Sequence, residues 1–410
     1  MQENSSPIAP FSKNPDFDFE IRNVLGQAVG GASDLGEVLA AVSGIRGEDH
    51  TGWFRVWHEL GQRTAEAAQA AASAGHRQTA AGRFLRASNY FSVAVNAASA
   101  LKDSSELVPS FREQRDAWES FVSYTSTSVQ RVDIPYEGAS LPGWFFRPGG
   151  SGSRVTLVMV NGSDGCLAAL WGSTGAAALK RGYNILVFDG PGQQSQLFER
   201  NVPFRPDWEH VLTPVVDFLG GVDGVDADRI AVYGVSQGGY WVARALAFEH
   251  RFVAAIVDPG VVDVSASWLS QLPHSLSRLL DTGEDKKFDE EMGIGMRFSP
   301  EIERTWLFRA RPYGTTGYAE TIQAVRQYDM TSVAEQITTP LLITSPDGEK
   351  FWPGQAERLA ALTRDVSQVI RFTGAEGADE HCQPLARTVT CERIFDWLDD
   401  RMVVGGQGSK

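Results

Sequence analysis

The sequence predicts an α/β protein: a mostly parallel, doubly wound sheet with helices on both faces, preceded by a helical region and interrupted by a helical insertion after the sixth strand. Three observations predict it. Apolar runs such as Val155-Thr-Leu-Val-Met-Val160 and Asn184-Ile-Leu-Val-Phe188 are continuous rather than alternating, as in strands buried on both faces. From Ser126 onward such runs alternate with amphipathic helical stretches. Between Phe17 and Tyr124, by contrast, strand patterns are almost absent and apolar residues recur at helical spacing, as at Trp53, Trp57 and Leu60.

Taken in order, an Ala-rich helix over Trp53 to Ala72 runs into Gly75-His76, and a second over Gln78 to Leu101 completes an αα-hairpin. Ser128 to Tyr136 and Leu141 to Arg147 read as a strand pair. Strands follow at Arg154 to Val160, Tyr183 to Asp189, Arg229 to Tyr233 and Val253 to Val257. The helices between them are expected at Leu167 to Lys180, Asp207 to Leu219 and Gly238 to Glu249. The alternation stops from Asp258 to about Gln336, then resumes with strand Pro340 to Thr344, helix Gln355 to Thr363, strand Gln368 to Phe372 and a final helix from Ala386 to Leu398. The expected divisions are a helical cap over 1–125, a core over 126–261 and 337–404, a helical lid over 262–336 and a disordered tail over 405–410.

Charge and cysteine content narrow the function classes. A net charge of −14 without a basic cluster repels nucleic acid and anionic membrane surfaces. Three cysteines, Cys166, Cys382 and Cys391, are too few to staple 410 residues and suit a reducing, cytoplasmic location. The N-terminus has neither the basic start nor the apolar run of a signal peptide, and no stretch approaches a membrane span. The motifs of P-loops, HExxH zinc sites, CxxC pairs and dinucleotide-binding turns are missing, so neither nucleotide nor metal is expected.

The chemistry gathers at Gly234-Val235-Ser236-Gln237-Gly238, which joins strand Ile230 to Tyr233 to a helix. A serine on so sharp a turn needs small residues two positions either side, and Gly234 and Gly238 supply them. Ser236 is then presented above the sheet edge as a nucleophile, but it needs a base and an orienting acid. In the chain order serine, acid, histidine, only His50, His58, His76 and His210 precede the serine and drop out; of the remainder, His381 follows the last strand and reaches the correct sheet edge, unlike His250 and His274. The acid is expected after strand Pro340 to Thr344, where Glu349 is favoured over Asp347 and Asp258 is a weaker third candidate. Oxyanion donors are expected from the backbone amides of Gln237 and of Ser163, in the loop Asn161-Gly162-Ser163-Asp164-Gly165. Trp352, Asp164 and Trp171 are the expected pocket residues.

These motifs resemble the α/β-hydrolase superfamily over Ser126 to Val403. More narrowly, Leu85-Arg-Ala-Ser-Asn-Tyr90, Asp189-Gly-Pro-Gly-Gln193, Ser236-Gln-Gly-Gly-Tyr240 and Asp379-Glu-His-Cys382 resemble the group containing 2,6-dihydroxypseudooxynicotine hydrolase and the fungal polyketide-shortening hydrolases. The resemblance implies cofactor-free cleavage of a carbon–carbon bond next to a carbonyl, with Ser236 as nucleophile and His381 as base; relatives use aspartate as the acid, where position 349 here is glutamate. A small-molecule substrate is expected, aromatic or polyketide-like, with ester cleavage, acyl transfer, thioester or peptidase-like chemistry and an inactive binding protein as the alternatives. A homodimer is compatible with this reading.

Overall fold

The computed structural model describes residues 8–405, and its centre is an eight-stranded sheet. The strands are β1 (Ser128–Tyr136), β2 (Ala139–Arg147), β3 (Arg154–Val160), β4 (Asn184–Phe188), β5 (Val225–Val235), β6 (Ala254–Asp258), β7 (Leu341–Pro346) and β8 (Ser367–Phe372), in spatial order β1-β2-β4-β3-β5-β6-β7-β8. β1, β2 and β4 pair antiparallel at one edge, and every other pairing is parallel. Every residue of β4 and β6 is buried, as continuous apolar runs covered on both faces require. β5 is longer than its apolar stretch suggested, because Val225 pairs with Arg154 across an irregularity in the ladder.

Among the described residues five α-helices precede the sheet: α1 (Pro15–Gly26), α2 (Leu35–Val42), α3 (His50–Ser73), α4 (Arg77–Ser99) and α5 (Leu107–Tyr124). α1 starts where Asn14 accepts hydrogen bonds from the amides of Asp16 and Phe17, with Pro15 at the first helical position. α3 and α4 form the expected hairpin through Gly75, whose φ of +79° lies in the left-handed region that glycine permits. α4 is buried on most of its circumference, so this region belongs to the body of the molecule rather than hanging from it. At Gly26 a Cβ would lie 1.6 Å from Pro384 O, which shows how closely α1 seats on the C-terminal part of the core.

Between β6 and β7 lie the helices Ala266–Leu269, His274–Asp281, Asp285–Phe298, Pro300–Ala310 and Tyr318–Val325. This block meets the N-terminal helices through His50–Glu301 at 2.9 Å and Lys102–Glu303 at 2.8 Å, and through Arg311 Nε, which donates to Ser99 Oγ at 3.0 Å. The helix expected over Leu167 to Lys180 is interrupted by a widened turn at Trp171–Gly175. The last helix runs Arg387–Gly405, beyond the expected end at Leu398, so Gly405 is helical rather than tail; the rest of the expected tail, 406–410, lies outside the described residues. Among the described residues no helix is long and apolar enough to cross a membrane.

Candidate active site

β5 delivers Ser236 to the carboxyl edge of the sheet, and the helix Gly238–Leu246 leaves immediately after it. Ser236 has φ +56°, a left-handed conformation that costs a residue with a Cβ and persists only where its surroundings impose it. The flanking glycines make it sterically feasible. A Cβ on Gly234 would lie 2.3 Å from Gly238 O, and one on Gly238 would lie 2.8 Å from both Val160 O and Asn161 O.

The long loop after β8 brings His381 to this point, with Nε2 2.9 Å from Ser236 Oγ. On the far side of the ring, Nδ1 stands 2.7 Å from Glu349 Oε2. Glu349 Oε1 meanwhile accepts the amides of Phe351 and Trp352 at 2.8 and 3.2 Å, so the carboxylate is fixed at both oxygens. Phe351 meets the imidazole edge-on at 4.7 Å between ring centres, and Trp352 and Phe19 pack beside it. Burial opposes charge on Glu349, yet the adjacent imidazole and these hydrogen bonds outweigh it and hold the carboxyl below its usual range. For His381, burial also opposes the charged form; the neighbouring Cys382 sulfur and the Glu349 carboxylate push its pKa well above the ordinary value. Burial keeps the Cys382 thiol protonated, so Glu349 is the physical source of that upward push.

The two competing acids go elsewhere. Asp347 still lies at the end of β7, where its amide bonds Phe372 O and its carboxylate faces outward to Arg371 Nη2 at 2.7 Å. The turn then bends at Gly348, whose amide donates to Asp379 O at 2.8 Å, and this carries residue 349 back over the sheet edge. Asp258 is completely buried and bonded to Thr344, Tyr233 and Arg387, away from the imidazole nitrogens.

The loop after β3 runs beside Ser236: a Cβ on Gly162 would lie 2.9 Å from Ser236 Cβ. Gly162 N–H is taken by Asn161 Oδ1 at 3.0 Å, while Gln193 Nε2 donates to the carbonyls of Asn161 and Gly162 at 2.9 and 3.1 Å. The Asp189-Gly-Pro-Gly-Gln193 motif thus braces this loop, and Asp189 itself pairs with Arg115 of α5 at 2.5 Å. This bracing role has no signal in sequence, since it depends on which loops meet.

A cavity of about 410 Å³ opens over Ser236, within the size range of small-molecule sites. Ser163, Asp164, Gln237, Trp352 and His381 line it, as do Phe19 and Glu20 of α1 and Arg309 and Tyr313 of the insertion. Trp171 does not. It lies in the core against Phe121 and Phe146, because the widened turn that contains it faces β2 and α5 rather than the sheet edge. Glu20 and the insertion residues escaped sequence reading because helical periodicity does not say which helix face will roof a distant strand end. Burial and the nearby Asp164 push the Glu20 carboxyl up to about 8. Asp164 lines the same cavity, and its carboxyl is also raised, chiefly by desolvation. Among the described residues no group of three or more His, Cys, Asp or Glu side chains could hold a metal ion.

The strand-to-helix serine, the mostly parallel sheet and the helices on both of its faces define a hydrolase scaffold. The chain belongs to the alpha/beta hydrolase family, whose model matches residues 157–389, and it is a hydrolase enzyme. It is 30% identical over 407 residues to the hydrolase LUC6 of Fusarium sp., covering 94% of this chain and 96% of that one. It is 26% identical over 411 residues to the 20-hydroxy-prefusarin hydrolase FUS2 of Gibberella moniliformis, covering 95% and 97%. The crystal structure of 2,6-dihydroxy-pseudo-oxynicotine hydrolase shares the fold with a TM-score of 0.73 at 18% identity, covering 93% of this chain and 96% of that one.

Proposed function

We propose that the chain is a cofactor-independent serine hydrolase that cleaves a carbon–carbon bond next to a carbonyl, or an ester, in a small aromatic or polyketide-like metabolite. The observation that carries this reading is the continuous chain of hydrogen bonds from Glu349 through His381 to Ser236 at the floor of the cavity. Ser236 Oγ attacks the substrate carbonyl while His381 Nε2 takes its proton. Glu349 holds the ring with Nδ1–H toward the carboxylate, leaving Nε2 free to accept. The amides of Gln237 and Ser163 serve as donors to the resulting oxyanion; the amide of Gly162 is already committed to Asn161.

Collapse of the tetrahedral intermediate breaks the bond to the leaving group, which takes its proton from the His381 imidazolium. A water molecule, deprotonated by His381, then attacks the acyl-serine and releases a carboxylic acid and free Ser236. For carbon–carbon cleavage the departing carbanion must be stabilised as an enolate or by an electron-rich ring. Aromatic side chains in the lining, among them Phe19, Trp268, Tyr313 and Trp352, suit such a substrate, and the hydrolase names of the relatives favour hydrolysis over acyl transfer.

Turnover of aryl-ketone and aryl-ester probes in ¹⁸O-water tests the reading. The wild type is expected to release a carboxylic acid carrying the label, and Ser236→Ala none. Release that persists in Ser236→Ala, or the absence of any turnover across both probe classes, would overturn it.

A further inference from the structure

Asp258 ends β6 with no exposed surface, and its carboxylate receives hydrogen bonds from Thr344 Oγ1 at 2.6 Å, Tyr233 OH at 2.9 Å and Arg387 Nη1 at 3.1 Å. Burial opposes its charge, but the Arg387 guanidinium and these donors hold its pKa below the usual value. Its backbone carbonyl accepts the amide of Ser236 at 2.6 Å and the thiol of Cys382 at 3.1 Å. One buried residue therefore touches both the serine turn and the histidine loop.

Arg387 closes the circuit. Its Nη1 also donates to Cys382 O at 2.6 Å, its Nη2 to Thr174 Oγ1 at 2.9 Å and Tyr233 OH at 3.2 Å, and its Nε to Ser173 O at 3.3 Å. Cys382 and Gln383, directly after His381, have φ of +57° and +44°. Two consecutive left-handed residues with side chains are strained, and such a turn lasts only where the surroundings hold it. Arg387 borders the cavity over Ser236, but these five hydrogen bonds use all five N–H donors of its guanidinium, so it acts on the loop.

We propose that Arg387 is a positioning residue: by gripping the Cys382 carbonyl and the Asp258 carboxylate with one guanidinium, it holds the strained turn that sets His381 Nε2 on Ser236 Oγ. The proposal rests on the serine-hydrolase reading above. The planar fork is what the site uses. A lysine keeps the charge opposite Asp258, but a single ammonium cannot span acceptors on five different residues.

The test is the rate of fluorophosphonate labelling of the full chain, measured against pH for wild type, Arg387→Lys and the isosteric Tyr233→Phe, with thermal melts in parallel. Arg387→Lys is expected to label about 10- to 100-fold more slowly, the scale of a displaced catalytic group. Its labelling midpoint is expected to fall toward the free imidazole value, since a ring that drifts from Glu349 loses the charge that raises its pKa. Tyr233→Phe, which loosens the same guanidinium, is expected to shift both quantities in the same direction by less, and it keeps the question answerable if the lysine variant does not fold. Variants that match wild type, or that slow without any change in midpoint, would overturn the role of Arg387 while leaving the serine reading intact. A wild type that labels nowhere would overturn that reading and this proposal together.

Discussion

The floor and the roof of the cavity are built on different principles. On the floor, Ser236, His381, Glu349, Asp258 and Arg387 are joined by hydrogen bonds between buried groups, so each side chain has essentially one position. On the roof, charged side chains have fewer fixed partners. Arg309 lies over the Trp268 ring at 4.5 Å and donates to Ser267 Oγ at 2.8 Å, while Glu20 is held chiefly neutral by burial. Preorganised groups lower the barrier of the chemical step, whereas a loosely partnered lining adapts to what it holds. Floor substitutions are therefore expected to act on kcat and roof substitutions on KM.

The sharpest break in that contrast comes from the floor. Ser236→Ala and His381→Ala are each expected to lower kcat by at least about 10³-fold with little change in KM, and a KM-dominated loss in steady-state kinetics would erase the distinction. Next come the two acids. Glu349→Ala is expected to cost about 10²- to 10⁴-fold in kcat, and Asp347→Ala, which removes only the exposed pair with Arg371, less than about twofold. Glu349→Gln also carries a signed pH effect. The base must be neutral to accept the serine proton, so the rate falls as pH drops through the raised pKa of His381. Removing the carboxylate charge lowers that pKa, and the acid limb of kcat/KM is expected to move to lower pH.

Roof effects are smaller. Burial and the charges of Asp164 and Asp16 raise the Glu20 carboxyl, and a hydrogen bond to Asn96 opposes them. Below its pKa of about 8 the carboxyl is mostly neutral, so Glu20→Gln is expected to leave KM within about twofold at pH 7. Above pH 8 the wild-type KM for an apolar substrate is expected to rise as charge enters the cavity, and the glutamine variant to stay flat. The smallest effect is expected at the rim, where Glu301→Ala removes the partly exposed pairs with His50 and Arg304; a change in kcat/KM of about twofold or less, fading with added salt, is the expected reading.

The parts of the molecule that sequence disclosed are those governed by local constraints. Gly234 and Gly238 announce the serine turn because only glycines fit there, and continuous apolar runs announce β3, β4 and β6 because both faces are covered. Glu349 is favoured in the sequence by its distance from Pro340 and by the Phe351-Trp352-Pro353 turn after it, and in the structure the bend at Gly348 carries it beside His381. Long-range packing was not legible. Trp171 sits near the oxyanion loop in sequence and faces the core in space, Glu20 lies more than two hundred residues before the serine it overlooks, and the partnership of Asp258 with Arg387 spans 129 positions. No periodicity encodes such pairs.

The most direct measurement is mass-spectrometric mapping of the adduct formed when the wild-type chain reacts with a fluorophosphonate at neutral pH. A hydroxyl activated by its neighbouring imidazole should yield one stoichiometric adduct, on Ser236, that disappears in His381→Ala. An unmodified chain, or an adduct on Ser236 that survives loss of the imidazole, would contradict it.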